Sequence, residues 1–202
     1  MRHIQESAKV DWNTPQWVID LCREAMGSIE LDPCSNPTSL VNANVAWTLP
    51  DHDGLKEPWN AKTVFVNPPY GRVYMNKTTK ALYTPKEFRA LSLTKEQKRD
   101  YATSTIYDWV YLAQRYFDIF KYDLCLLIPA SVETKHWQKI IFKHSNAICF
   151  FKSRVKFIGG SNSPPMPTAL IYYGSNTDVF VKVFEPYGFV LNLDHQRLLK
   201  KT

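Results

Sequence analysis

One short loop of the sequence has the residue types that could prepare an amine for methylation: Asn67-Pro68-Pro69-Tyr70. The side-chain oxygen of Asn67 and the carbonyl of Pro68 could accept both hydrogens of an amine attached to a planar ring. These acceptors would stabilise the positive charge that develops on the nitrogen as the methyl group arrives. Prolines fix the backbone and have no amide hydrogen to compete for the substrate. An ordinary alternative is a proline-rich turn with a packed tyrosine.

The elements around this loop predict that it lies at a ligand-binding edge. A β-branched and aromatic run at 63–66 predicts a strand that ends directly before Asn67. A shorter apolar segment at 28–32 predicts another strand, which leads into the turn at Asp32-Pro33. Ligands of open α/β sheets bind beyond the carboxyl ends of the strands. We therefore expect Asp32 and Asn67 at one rim.

The remaining pattern predicts an α/β fold with a mostly parallel sheet and helices on both faces. Helical spacing indicates a first helix, which opens at Thr14-Pro15 and stops at Gly27. Further helices are predicted at 106–120 and 134–143, and strands at 124–128 and 147–151, the second extended by 155–158. Two late strands at 169–173 and 179–184 leave no room for a helix between them, which favours an antiparallel hairpin at one edge of the sheet.

Composition excludes several classes of protein. Hydrophobic residues make up 45% of the 202 residues, which argues against a disordered chain and allows one sizeable domain. No apolar run is long enough for a membrane span, and the first residues lack the apolar core of a signal peptide. We expect a cytoplasmic protein, in a bacterial or phage-infected cell. The cysteines form no Cys-x-x-Cys pair and the histidines have no ligand spacing, so no metal is predicted.

Positive charge is concentrated in one segment. The formal net charge is +6, and the stretch from Arg72 to Arg99 contains eight basic and two acidic residues. A solvated, lysine-rich loop would give the same count, but a positive field directly after the loop also suggests a polyanionic partner. We interpret residues 72–104 as a basic insertion that grips phosphates around an extruded base. The predicted contacts are Arg72, Lys77, Lys80 and Lys86.

The order of motifs resembles the phage-type DNA N6-adenine methyltransferase (Dam) family. The matching elements, in chain order, are Trp12-x-Thr14-Pro15, Leu31-Asp32-Pro33-Cys34-Ser35, Asp53-Gly54-Leu55 with Trp59, Val64-Phe65-Val66-Asn67-Pro68-Pro69-Tyr70-Gly71, Leu127-Ile128-Pro129-Ala130 and Arg154-Val155-Lys156-Phe157. The resemblance covers most of the chain. It implies one Rossmann-like methyltransferase domain over residues 1–202, S-adenosylmethionine as methyl donor, and the exocyclic N6 amine of a flipped adenine in double-stranded DNA as acceptor.

The resemblance also implies roles for individual residues. The catalytic loop would be Asn67, Pro68, Pro69 and Tyr70, and the cofactor would contact Trp12, Thr14, Pro15, Asp32, Pro33, Asp53 and Asn67. Phe157 would sandwich the flipped adenine against Tyr70. Ordinary alternatives are that Asp32 and Asp53-Gly54 form turns, and that Phe157 and the tryptophans, Trp47 above all, belong to the core.

Two observations leave alternatives open. No glycine lies between Ser28 and Asp53, where many methyltransferases have a glycine-rich turn, so the cofactor would need a different backbone path. The same loop also serves amino-methyltransferases that act on cytosine N4 or on protein glutamine, and a catalytically inactive DNA-binding protein could retain it. The local basic charge favours nucleic acid, and the choice of adenine rests on the resemblance. The oligomeric state and the recognition sequence are not predicted.

Overall fold

A large sheet organises the computed structural model, which describes residues 13–159 and 166–194. Trp12 of the first motif lies outside the described residues. The seven strands of this sheet are β1 (Leu31–Asp32), β2 (Val45–Ala46), β3 (Thr63–Val66), β7 (Asp123–Pro129), β8 (Ala147–Phe151), β9 (Thr168–Tyr173) and β10 (Gly188–Asn192). Their spatial order is β10-β8-β9-β7-β3-β1-β2. Parallel pairing runs from β7 through β3 and β1 to β2, which confirms the mostly parallel sheet.

Helices cover both faces of this sheet, as predicted. The helices are α1 (Gln16–Met26), α3 (Ile106–Phe120), α4 (Phe142–His144), which follows a π-helical segment (Trp137–Ile141), and α5 (Thr177–Phe184). All seven residues of β7 are buried, and they alternate between two cores. Cys125 and Leu127 pack with α1 and α5, while Leu124, Leu126 and Ile128 pack with α3. A strand buried on both faces explains the continuous apolar run of the sequence.

The far edge of the sheet differs from the predicted hairpin. Strand β9 is confirmed, but residues 179–184 belong to helix α5, and the edge strand is β10, which the sequence pattern did not indicate. The buried residues Phe180, Val183 and Phe184 have helical spacing, which overrides the strand preference of the valines. Antiparallel pairing occurs at this edge, where β9 lies between β7 and β8, and β10 pairs with β8.

Residues 155–158 do not extend β8. Instead, Ile158 forms an isolated antiparallel bridge with Asn13, with backbone N–H···O distances of 2.8 and 2.9 Å. The bridge brings the segment that contains Phe157 next to the entrance of α1. The segment predicted as a strand extension therefore connects the loop before α1 to the loop after β8 through this single bridge.

The segment after the catalytic-type loop forms a small sheet of its own. Its strands are β4 (Val73–Asn76), β5 (Leu82–Tyr83) and β6 (Tyr101–Ser104), in the order β5-β4-β6, with the short helix α2 (Pro85–Ala90) beside them. Helix α2 begins with a capping box, in which the amide of Glu87 donates to the hydroxyl of Thr84 and the Glu87 carboxylate accepts from the Thr84 amide. The expected polar insertion is thus an ordered antiparallel unit.

Candidate active site

Asn67 is oriented by the threonine of the first motif. It follows β3 directly, and its side-chain nitrogen Nδ2 donates to Oγ1 of Thr14 at 3.0 Å. Thr14 is nearly fully buried, and α1 begins at Gln16 with Pro15 as its N-cap residue. The hydroxyl of Thr14, at the predicted start of the helix, accepts this hydrogen bond and so orients the Asn67 amide. Among the described residues no hydrogen bond reaches Oδ1 of Asn67, so this acceptor is available at the cavity wall.

The turn after β1 takes the place of a glycine-rich loop. Asp32 is 4% exposed, and its carboxylate accepts from the Cys34 amide at 3.2 Å. Burial raises the pKa of Asp32 to about 6, although hydrogen bonds from Ser35, the Cys34 amide and Ser39 lower it in part. Pro33, Cys34 and Ser35 of this turn line a large cavity, called the main cavity below, whereas Asp32 does not line it. Its direct contact with a cofactor therefore stays a prediction.

The Asp53-Gly54 turn packs directly against the turn at Asp32-Pro33. A Cβ atom at Gly54 would lie 1.9 Å from the carbonyl oxygen of Pro33, so the two motifs approach as closely as only glycine allows. The indole of Trp59 donates to the Gly54 carbonyl at 2.8 Å and fixes the loop from the core side. The Asp53 carboxylate accepts from the Leu55 amide at 3.2 Å and pairs with Lys56 at 3.0 Å. A ligand amine at Asp53 would thus have to compete with Lys56.

Tyr70 and Phe157 contact each other directly. Their ring centroids are 5.8 Å apart and the rings are almost perpendicular. The Tyr70 hydroxyl donates to the Leu127 carbonyl at 3.3 Å, and burial raises its pKa well above the usual value. Two rings that sandwich a base must be parallel and separated by the base. The structure therefore differs from the predicted sandwich, which would require one ring to turn, and the base-stacking role of Phe157 stays a prediction.

These elements surround one cavity of about 950 Å³. That volume is at the upper end of the usual range for small-molecule sites, about 300–1,000 Å³. Predicted site residues that line it are Pro33, Asp53, Asn67, Pro68, Pro69, Tyr70, Arg72, Lys80 and Phe157. Thr14, Pro15, Asp32, Lys77 and Lys86 are described by the structure but do not line it. The cavity thus joins the two large-sheet turns to one face of the insertion.

Several wall residues were missed by the sequence analysis. Trp47, interpreted as a core residue, lines the cavity and stacks on His52 with ring centroids 5.8 Å apart. The amide of Trp47 donates to the Asp32 carbonyl at 2.9 Å, and its carbonyl accepts from the Ser35 amide at 2.9 Å. Cys34 also lines the cavity, and burial together with nearby Asp32 raises its pKa well above the usual value. The available signal was position: Trp47 directly follows β2, at the same edge of the sheet as Asp32.

Residues of this wall fit a nucleoside-type cofactor. The lining is mostly apolar with a few polar groups from Ser35, Asn36, His52 and Asp53, which suits a ligand with a flat ring and a polar end. Gly54 keeps the two turns close enough to form a continuous wall.

In residues 13–159 and 166–194, no helix has the length and apolarity to cross a membrane. The same ranges contain no cluster of three or more potential metal ligands.

The sheet, with a large cavity at its carboxyl edge, places the protein in the class of Rossmann-like methyltransferase folds. The chain belongs to the DNA N-6-adenine-methyltransferase (Dam) family, because the sequence model of that family matches residues 2–170. The resemblance drawn from the ordered motifs is therefore confirmed. No curated protein matches the chain.

Proposed function

We propose that this protein transfers a methyl group from S-adenosylmethionine to the N6 amine of an adenine extruded from double-stranded DNA. The observation that carries the proposal is the Asn67–Thr14 hydrogen bond at 3.0 Å. It uses the donor end of the amide and leaves the Oδ1 acceptor at the cavity wall. Membership of the Dam family supports adenine in DNA as the substrate. Such a reaction would occur in the cytoplasm of a bacterial or phage-infected cell.

Asn67 and Pro68 would act on the amine. The lone pair of an exocyclic amine is delocalised into its ring, which makes the nitrogen a poor nucleophile. Acceptance of its two hydrogens by Asn67 Oδ1 and the Pro68 carbonyl favours a pyramidal nitrogen and stabilises the developing positive charge. Asparagine is not a strong base, and none is required if the proton leaves to water after methyl transfer. Tyr70, held by Leu127, would stack on the flipped base.

The turns at Pro33 and Asp53-Gly54 would hold S-adenosylmethionine, which supplies an electrophilic methyl group when it is bound. Thr14, Pro15 and Asp32 would act from behind this wall, because they do not line the cavity. Trp47 and His52 add an aromatic surface to the same side. On this proposal, residues 1–202 form one methyltransferase domain, and residues 72–104 are its DNA-binding insertion.

The insertion would supply the contacts to DNA. Arg72 and Lys80 line the cavity, and Lys77 and Lys86 are exposed outside its lining. Phosphates on either side of an extruded base are the anions that these cations would meet. The local excess of cations supports a nucleic acid over a protein glutamine as substrate.

Methyl transfer from labelled S-adenosylmethionine tests the proposal. The protein is incubated in parallel with plasmid DNA and with a glutamine-rich protein, and the DNA nucleosides are separated. We expect the label in N6-methyladenosine nucleoside from DNA and none in protein. Label in methylcytosine or methylglutamine would replace the substrate with one of the other amines. Cofactor binding by calorimetry without any transfer would instead favour an inactive DNA-binding protein.

A further inference from the structure

A second cavity lies on the other face of the insertion sheet. Its volume is about 510 Å³, and its lining residues are Tyr74, Phe88, Arg89, Ser92, Leu93, Lys98, Tyr101 and Thr103. It shares no residue with the main cavity. Side chains alternate across a strand, so Val73 of β4 faces the main cavity while Tyr74 faces the second one. The small sheet therefore separates two cavities of different composition.

Packed aromatic rings line this second cavity. Tyr74 and Phe88 stack in parallel with ring centroids 3.9 Å apart, and Tyr101 meets Phe88 edge-on at 5.0 Å. Tyr74 pairs with Thr103 across β4 and β6, which places the threonine on the same face. A floor of packed rings gives a flat apolar surface that a sugar can cover without a change in the protein.

The rim of the cavity carries positive charge and hydroxyl groups. Arg89 and Lys98 are exposed, and Ser92 and Thr103 are exposed beside them. Within the described ranges, none of these four side chains has an ion pair or a hydrogen bond. The capping box of α2 already uses the Glu87 carboxylate. Two free cations and two free hydroxyls above an apolar floor match a phosphate group attached to a pentose.

We propose that this cavity binds one phosphodiester group and the adjoining deoxyribose of the DNA substrate. The proposal rests on the proposed function and adds a specific anchor to it, distinct from Arg72, Lys77, Lys80 and Lys86. Layers packed face to face lie about 10 Å apart, so groups bound on the two faces of the small sheet are separated by a distance of that order, which is about three nucleotide steps of 3.4 Å along one DNA strand. The backbone near an adenine in the main cavity could therefore reach the second cavity.

The test compares two double variants of the full chain that remove equal charge. Arg89→Ala/Lys98→Ala empties the rim, whereas Lys95→Ala/Arg99→Ala removes two cations of the same segment that do not line the cavity. Binding of a fluorescent duplex is measured between 50 and 200 mM salt, where each phosphate contact contributes a slope of about 0.9 in log K against log salt. We expect a more than tenfold loss of affinity with a shallower slope for the rim variant, and a less than threefold loss for the control.

A third variant keeps the charge and covers the case of a misfolded double variant. Thr103→Val removes only the rim hydroxyl, and we expect a severalfold loss of DNA affinity with an unchanged salt slope. Unchanged cofactor affinity in every variant checks the fold. Equal losses in both double variants, or no loss in Thr103→Val, would overturn the proposal.

Two further outcomes separate this proposal from others. If the native protein neither binds nor methylates DNA, the proposed function fails, and the anchor fails with it. If DNA is methylated normally but the rim variant matches its control, only the anchor fails. Deoxyadenosine monophosphate is titrated as a second probe. If the native protein binds this mononucleotide, the rim variant does not, and both bind the duplex equally, the cavity is a site for a free nucleotide. That result would also overturn the proposal.

Discussion

The two walls of the main cavity are built in opposite ways. The large-sheet wall consists of turns fixed by close, partly buried contacts: Asn67 on Thr14, the Cys34 amide on Asp32, and Gly54 against Pro33. The insertion wall consists of a three-stranded sheet whose cations are mostly exposed. Contacts of this kind hold reacting groups in position, and a displacement of about 1 Å can slow a reaction about 100-fold. Exposed cations attract phosphates over longer distances without fixing a geometry, which suits DNA binding.

The largest effect is expected at Asn67, on the large-sheet wall. Asn67→Ala removes an acceptor that is used mainly as charge develops in the transition state. We expect kcat to fall by about 100-fold or more while cofactor affinity stays within about twofold. Single-turnover methylation and calorimetry with S-adenosylmethionine measure the two quantities.

Thr14 provides the matched control for that prediction. Thr14→Ser keeps the hydroxyl that orients Asn67 and should retain most of the rate, whereas Thr14→Val should lose about tenfold. A normal rate in Asn67→Ala would remove Asn67 from the catalytic assignment.

The next effect concerns the buried carboxyl of Asp32. Its pKa is raised from 3.8 to about 6, so the native state binds this proton more tightly than the unfolded state. The stabilisation is complete below about pH 4 and is lost as the pH rises to about 6. Relative to Asp32→Asn, which does not titrate, the native protein should lose up to about 3 kcal/mol of unfolding free energy across that window. Urea unfolding at pH 4, 5, 6 and 7 measures the difference, and a constant difference would contradict the raised pKa.

A smaller effect is expected where the two turns touch. Gly54→Ala forces a methyl group against the Pro33 carbonyl, and overpacking of this kind costs about 1–3 kcal/mol. Because the turns form one wall, we also expect at least tenfold weaker cofactor binding. Gly27→Ala is the control, since Gly27 has open space around it but a φ of 81°, and it does not line the cavity. It should lose about 1–2 kcal/mol because alanine is strained at this φ, and it should keep its cofactor affinity; equal cofactor affinities in both variants would separate Gly54 from the site.

The smallest effect is expected for the lysines of the insertion that are predicted to contact DNA. Neutralisation of Lys77, Lys80 and Lys86 together should weaken duplex binding severalfold at moderate salt and flatten its salt dependence. The reason is that each phosphate left without its cation lowers the steepness of the slope by about 0.9. Cofactor affinity and the unfolding free energy should not change. Unchanged DNA affinity across a salt titration would show that these lysines have no role in binding.

The sequence predicted the elements whose pattern is local. Strand β3 and helix α3 have the expected bounds, because a run of β-branched residues and a helical apolar stripe each determine one element. Helix α5 was wrongly predicted as a strand, because its valines favour strands. Only the burial of Phe180 and Phe184, four positions apart, shows that the segment is helical. Local patterns also could not indicate that β9 inserts between β7 and β8.

The sequence identified several residues of the candidate site, but it did not predict the contacts between them. Asn67, Pro33 and Asp53 were identified from motifs and line one cavity. The Thr14–Asn67 hydrogen bond joins residues 53 positions apart, and packing of α1 on the sheet determines it rather than any motif. For the same reason, the direct contact of Phe157 with Tyr70 and the position of Trp47 at the wall could not be read from the chain.

Nucleoside mass spectrometry of plasmid DNA tests the central claim most directly. The plasmid is propagated in a bacterial strain that lacks adenine methylation, with either the native protein or Asn67→Ala expressed from it. We expect N6-methyladenine in DNA from the native protein and its near absence in DNA from the variant. DNA that contains only methylated cytosine, or no modified base although the native protein is folded and binds S-adenosylmethionine, would contradict the proposed adenine methylation.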